Sequence, residues 1–472
     1  VKSAAWIAGA RAWPETAGAA RFALEVPGDA RARLALGWLW LAVAALVGAG
    51  LFSVLLVLAR TPLLKDALPV ADWFRVALVA HVDLSVLVWF AAIGGTLWSL
   101  NGTLRLLWLA WAGLGAAAGG TLAMAAAPFF PPAPPVMSNY VPVLDAPLFL
   151  GGLALFGAGC GLLVVRSMIA VPKVGPRPDG AGALRFGLNA SLVSAAVALI
   201  AFAWSYAALP DALDPKAFFE VLFWGGGHVL QFTWTLLMFV AWLWLAEASG
   251  ARTPLTPRIA ILLFALGLAS VFATPVIYLA YDIVSVEHYR MQTWLMRIGA
   301  GLAIVPFALA LAAGLARAPR AAEAQAPLRA ALWASLCLFG VGGLIGTAIH
   351  ANDVRIPAHY HGSIVGVTLA FMGLVYHLLP RLGFAAPSAR LARWQIRLYA
   401  AGQLAHVAGL AWSGGYGVQR KAAGAEQVLR GAEQLAAMGL MGIGGLAAVA
   451  GGVMFLVLAL ASLLGGRAGG RR

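Results

Sequence analysis

Charge is scarce in this sequence: Asp, Glu, Lys and Arg make up 11% of it, against 62% apolar residues. A water-soluble domain carries about 25% charged residues, so that class is excluded, and a mean hydropathy of +0.87 assigns the chain to a membrane. Acidic residues are scarcer than basic ones, 18 against 32, for a net charge of +14. The Lys and Arg sit in short segments between apolar stretches, where positive charge sets orientation. A nucleic-acid partner is therefore not expected. Cysteine is nearly absent: Cys160 and Cys337 both fall inside apolar stretches, which excludes a disulfide framework, a zinc ribbon and a thiolate copper pair. CxxCH is missing too, so no haem is attached covalently. Nor does the stretch to Arg33 show a basic start, short apolar core and small-residue cleavage site.

Long apolar runs are plentiful. Stretches near the roughly 20 residues that cross a hydrocarbon core occur at 35–59, 75–99, 103–126, 146–165, 186–208, 217–246, 257–283, 291–316, 329–349, 357–380, 391–413 and 436–465. The expectation is an all-α bundle of twelve spans, one transmembrane domain over 1–472 with a short N-terminal segment to about 34 and no internal repeat. Alternate connections sort by charge. One set carries Arg31, Arg33, Arg105, Arg166, Lys173, Arg177, Arg185, Arg252, Arg258, Arg317, Arg320, Arg329, Arg381, Arg390, Arg393, Arg467, Arg471 and Arg472. By the positive-inside rule that side is cytoplasmic, with both termini, in a bacterial inner membrane. The other set holds Asp66, Asp72, Asp211, Asp214, Glu287, Asp353 and the proline-rich loop PFFPPAPP at 128–135, with Arg420 and Lys421 against the trend.

An ionisable side chain inside a span is costly enough to point to function, and the histidines are not scattered. His81 lies in the outer third of the second span, and His359 and His361 lie at the outer end of the tenth. Two residues on a helix means about 200° of rotation, so His359 and His361 point to opposite sides and serve different centres. A helix between two macrocycles can ligate one iron from each face. Two imidazoles on one iron make a low-spin electron carrier, whereas a single imidazole leaves a position open to a gas.

The segment HANDVRIPAHYHGSIVG, which contains that pair, resembles the tenth-span motif of the haem-copper oxidase superfamily, whose members include cytochrome oxidases and nitric oxide reductases. AHVDLSVLVWF resembles the second-span motif with a low-spin haem ligand, and FWGGGHVLQF the sixth-span motif whose histidine binds the non-haem metal, with glycines letting a macrocycle approach the backbone. HVAGL followed by QRK resembles the end of the eleventh span. The four stand in the family's order across most of the chain. The resemblance implies a subunit I-like bundle with two non-covalent haems, b type expected. His81 and His361 would hold the low-spin haem, His359 the high-spin haem, and Arg420 and Lys421 the propionates. His350 and Asp353 would line an outer site for water or a hard cation. His377, sixteen residues beyond His361 and about 24 Å inward, reads as interfacial, and His406 as a structural or propionate-side residue.

The sequence departs from the family at the second metal. The seventh span has no His-His; counting back from Pro306 puts Tyr281 and Asp282 there, with His288 in a solvated outer turn. Phe232 stands where a glutamate or tyrosine follows the sixth-span histidine, leaving Gln231 and Glu220 as the nearest polar residues. Carboxylate favours iron over copper, so the expected set is non-haem iron on His228 and Asp282, with Tyr281 beside them. The first functional reading is reduction of nitric oxide to nitrous oxide. The alternative is a non-catalytic dihaem electron carrier that has lost the second metal, and oxygen reduction stands third, lacking the usual tyrosine and histidines. The implied partners are membrane lipid, a small gas, and as donor a c-type cytochrome or cupredoxin-like subunit, or quinol.

Overall fold

Local sequence fixes where the helices begin. Asp29, Asp179, Asp214, Thr256, Ser285 and Ser388 each accept a backbone N–H of the following turn through a side-chain oxygen, and prolines occupy the first turn at Pro147, Pro215, Pro257 and Pro327. Both devices satisfy or remove amides that a helix start leaves unpaired. The structure, a computed structural model, describes residues 21–62, 64, 73–175 and 178–466. Asp66, Asp72, Arg177, Arg467, Arg471 and Arg472, used above for orientation, lie outside the described residues.

Among these residues twelve long helices follow in order: α1 Ala30–Leu58, α2 Phe74–Asn101, α3 Leu107–Phe129, α4 Pro147–Ile169, α5 Gly180–Ala208, α6 Pro215–Ala248, α7 Pro257–Ala280, α8 Val286–Arg317, α9 Glu323–Thr347, α10 Arg355–Arg381, α11 Ala389–Gly415 and α12 Ala432–Leu464. Eleven are long and apolar enough to cross a membrane. The exception, α11, carries Arg390, Arg393, Arg397, Gln395 and Gln403. Its polar groups are used between helices: Gln395 accepts from Tyr376 on α10 at 2.9 Å and donates to the Gly451 carbonyl on α12 at 3.1 Å.

The buried apolar cluster runs through all twelve helices, from Phe22 to Leu463. In α6 and α10, 89% of the apolar span is buried, against 61% or less in the other nine, so these two helices form the axis. Outward faces expose Leu51, Leu122, Ile200, Leu262, Leu279, Leu309, Leu344 and Ile443, an apolar belt that suits lipid and not water. The chain is a multi-pass membrane protein.

Connections at each end bond to one another. At one end, here the arginine end, Arg31 donates to the Gly102 carbonyl at 2.8 Å and Arg166 to those of Arg105 and Thr103, while Arg329 reaches the carbonyls of Ser249 and Pro319. At the other, the histidine end, Arg75 pairs with Glu426 and the Val354 amide donates to the Val418 carbonyl. Here the connection between α3 and α4 folds into a hairpin, β1 Pro135–Val136 antiparallel to β2 Val143–Leu144, with Val136 opposite Val143. Two helices also carry π turns, at Asp83–Val88 in α2 and Met296–Ala300 in α8. Such bulges concentrate at functional sites; the first begins two residues after His81.

Candidate functional site

The histidines of α2 and α10 come together at the histidine end, held in a shared manner. His81 Nδ1 lies 2.9 Å from the Ala49 carbonyl, and His359 Nδ1 2.7 Å from the Gly342 carbonyl. A carbonyl only accepts, so in each ring Nδ1 carries the hydrogen and Nε2 is left as a bare lone pair. This is the outer hydrogen bond that orients a metal-ligating imidazole. His359 turns toward α9, against Gly342 and Gly346. His361 turns the other way, with its ring centroid 4.6 Å from that of His406 on α11 and within electrostatic reach of His81. The opposite facing expected from the two-residue spacing is present.

His406 donates Nδ1–H to the Met441 carbonyl at 2.9 Å. An iron between two imidazoles needs their nitrogens about 4 Å apart, on a metal–nitrogen distance of about 2 Å, and ring centres further still. At 4.6 Å and 60° between planes, His361 and His406 have no room for one, and His81 is the other imidazole within reach of His361. Two half-buried imidazoles with free Nε2 atoms and a third facing away fit two iron porphyrins. His377 lies at the arginine end, one turn before the end of α10, where it is buried, edge-on to Trp244 and beside the Arg381 guanidinium, 3.2 Å from Nδ1.

Arg420 and Lys421 turn inward rather than to solvent. Lys421 Nζ donates to the Met137 carbonyl at 2.7 Å and Arg420 to Asn139 Oδ1 at 3.3 Å. Lys421 adopts the left-handed backbone region, φ 62°, which aims it at the hairpin. Burial, reinforced by the neighbouring Arg420 charge, pushes its pKa down to about 8. A carboxylate beside it would reverse that shift, so a propionate fits. These side chains, with Asn139, Lys216, Glu220 and Asn352, line a pocket of about 380 Å³.

The residues expected around a second metal do not assemble. Tyr281 and Asp282 occupy the exposed turn between α7 and α8, because α7 ends at Ala280 rather than continuing to 283. Asp282 Oδ1 accepts from the Val284 amide at 3.0 Å. His228 is buried on α6, its Nδ1 2.8 Å from the Trp224 carbonyl and its Nε2 2.9 Å from the Tyr140 hydroxyl. Among the described residues no group of three His, Cys, Asp or Glu is set to hold a metal ion. The donor set does not fit a non-haem metal. The glycines ahead of His228 also serve another purpose than expected: a Cβ on Gly225, Gly226 or Gly227 would meet the rings of Tyr278, Phe202 and Tyr140, so they admit aromatic side chains, not a macrocycle.

The outer cation site is likewise spent. Asp353 is buried and bonds Arg355 through both oxygens, 2.5 Å at the shortest, while His350 is exposed. Burial works to raise the Asp353 pKa, but the hydrogen bonds and charge of Arg355 prevail and hold it below the usual carboxylate value.

Two residues escaped the sequence reading. Tyr140 comes from the hairpin loop 88 positions before His228, and no local pattern announces that contact. His288, expected in solvent, is 1% exposed, edge-on to Tyr278 at 4.7 Å. Ser285 caps α8 three residues earlier, a spacing that is legible and sets His288 on the first turn.

Comparison with known proteins agrees with this architecture. Residues 33–454 match the family described as Cytochrome C and Quinol oxidase polypeptide I. An uncharacterised protein of Rickettsia prowazekii (strain Madrid E) is 28% identical over 495 aligned positions, spanning 90% of this chain and 95% of that one. Another, from Aquifex aeolicus (strain VF5), is 28% identical over 348 positions, covering 74% and 85%. A haem-copper terminal oxidase dimer solved by cryo-electron microscopy superposes with a TM-score of 0.71 over 93% of this chain and 85% of its own, at 17% identity, a likeness of fold. A match over nearly the whole bundle makes this chain a member of the cytochrome c and quinol oxidase polypeptide I family, built on the haem-copper oxidase subunit I fold.

Proposed function

We propose that the chain is the dihaem redox subunit of a respiratory membrane complex, with a low-spin haem between His81 and His361 and a high-spin haem on His359. The observation that carries this reading is the orientation of the imidazoles: Nδ1 of His81 and of His359 is tied to a backbone carbonyl, which leaves Nε2 free. Bound there, the haems supply one-electron transfer and, where one imidazole ligates, a position for a small gas. The chain's own part is positional: the Ala49 and Gly342 carbonyls fix the rings, and Arg420 and Lys421 offer positive charge to the propionates. Electrons come from a c-type cytochrome or cupredoxin-like partner or from quinol, since the sequence has neither CxxCH nor a cysteine pair. The expected setting is a bacterial inner membrane with both termini cytoplasmic.

In the enzyme form of this reading two NO, two electrons and two protons become N₂O and water. A second form, electron transfer without gas reduction, is favoured by the Tyr140 hydroxyl bonded to His228 Nε2 and by the exposed position of Asp282. Purified protein should yield two non-covalent haems per chain. His81→Ala should remove the low-spin spectrum and leave the high-spin component; a single haem, or equal loss of both components, would sink the assignment. Consumption of NO by the reduced protein at an electrode separates the two forms.

A further inference from the structure

We propose that the position of the second metal is filled by a metal-free Tyr140–His228 pair, which presents the Tyr140 hydroxyl to whatever gas is held by the haem on His359. The inference rests on the dihaem reading above. His228 has two ring nitrogens and both are used: Nδ1–H donates to the Trp224 carbonyl at 2.8 Å, which leaves Nε2 as an acceptor, and the Tyr140 hydroxyl donates to it at 2.9 Å. A metal at Nε2 would have to displace that phenol. The other expected ligand, Asp282, is exposed and caps its own turn.

Tyr140 is held there by a built structure. Its ring lies against Gly227, where a Cβ would collide with it, and edge-on to Trp224 at 5.6 Å and 86°. The hairpin that carries it is closed by Ser138 Oγ donating to the Val141 carbonyl at 2.6 Å. Asn139, next in sequence, bonds Glu220 on α6 through its amide at 3.0 Å and its side chain at 2.5 Å. Arg420 and Lys421, which line the same pocket as Glu220, also bond this loop. A loop with this many ties holds the phenol in place.

The pair also lies close to α10. His228 is on α6, which packs against α10, and Tyr140 is within electrostatic reach of Tyr360, the residue between His359 and His361. Burial keeps the phenol protonated, with its pKa well above the usual value. A phenol both donates and accepts, and its O–H has two favoured in-plane orientations, so the hydrogen can turn from His228 to a bound diatomic. Donors of this kind decide how a haem pocket treats its gas.

The test uses the intact protein. Metal analysis should give two irons, both as haem, and no copper or other transition metal, with the same content in His228→Gln. With carbon monoxide on the reduced protein, Tyr140→Phe should shift the C–O stretch while both haem spectra persist. Gly227→Ala keeps the phenol but pushes it aside, and should shift the same band. A further metal equivalent lost in His228→Gln would overturn the proposal, as would a C–O stretch unmoved in both variants. If the haems themselves are missing, the dihaem reading fails instead, so the two failures are distinguishable.

Discussion

At the scale of single residues, Lys421 shows how burial and a cofactor work against each other. Its pKa is lowered from 10.5 to about 8 by burial, so without an adjacent anion the charged form is the strained one. The unfolded chain then binds the proton more tightly than the folded chain between about pH 8 and 10.5, and haem-free protein gains stability as pH rises through that window. A propionate removes this gain by holding the charge. Lys421→Gln should therefore abolish the alkaline gain in the haem-free chain. In the loaded chain it should speed haem loss to a scavenger roughly tenfold, the worth of one charge-assisted hydrogen bond of about 1.5 kcal/mol. Legibility at this scale followed locality. His81, His359 and His361 stand in motifs a few residues long, and a two-residue spacing was enough to give them opposite facing. Tyr140 and the true setting of His228 were hidden because they depend on a hairpin and a helix brought together over 88 positions. Asp282 misled for a simpler reason: an ungapped count places a residue in a span but not on the right side of a helix end.

Among elements, hydropathy was a sufficient guide to the twelve helices, and it found α11 although that helix is polar enough to fall outside the apolar set. What it missed were the interruptions, the π turns at Asp83–Val88 and Met296–Ala300, and the early end of α7, at Ala280 rather than 283. None changes the apolar composition, so no hydropathy average registers them. Close helix pairs depend on small residues in the same way. Gly342 on α9 faces Gly362 and Ser363 on α10, with no space for a Cβ, and its carbonyl is the acceptor for His359 Nδ1. Gly342→Val should push α10 away at the point where the ring is oriented. Loss of such an outer hydrogen bond costs about 10–100-fold in metal affinity, so the high-spin component should fall by that order. The proposed low-spin haem would depend on the opposite face of α10 and on α2, and should be largely retained. Haem spectra of the variant read both at once, and equal loss would mean the substitution acts on the fold as a whole.

For the whole molecule the open matter is which end faces the cytoplasm, and charge decides it only after pairing is considered. The arginine end carries Arg31, Arg105, Arg185, Arg252, Arg317, Arg320, Arg329, Arg390 and Arg393 among its basic residues. The histidine end also carries Arg60, Lys216, Arg290 and Arg430, but Asp211, Asp214, Asp282 and Glu287 stand among them, Arg75 is paired with Glu426, Arg355 with Asp353, and Arg420 and Lys421 are turned into the hairpin. The exception that Arg420 and Lys421 made to the charge pattern in the sequence is thus a pair committed to the interior. The unbalanced positive charge lies at the arginine end, which the positive-inside rule puts in the cytoplasm. This orientation also turns the 380 Å³ polar pocket and the histidines of α2 and α10 toward the side from which the proposed donor would dock. Cysteine labelling tests it in a chain whose two native cysteines, both within helices, are replaced by alanine. In intact cells a membrane-impermeant maleimide should modify Val284→Cys, in the exposed turn between α7 and α8, and spare Arg320→Cys, between α8 and α9, until the membrane is permeabilised. The reverse pattern would turn the bundle over and require the proposed electron donor to approach from the cytoplasm, since His81, His359 and His361 would remain at the same end of the helices.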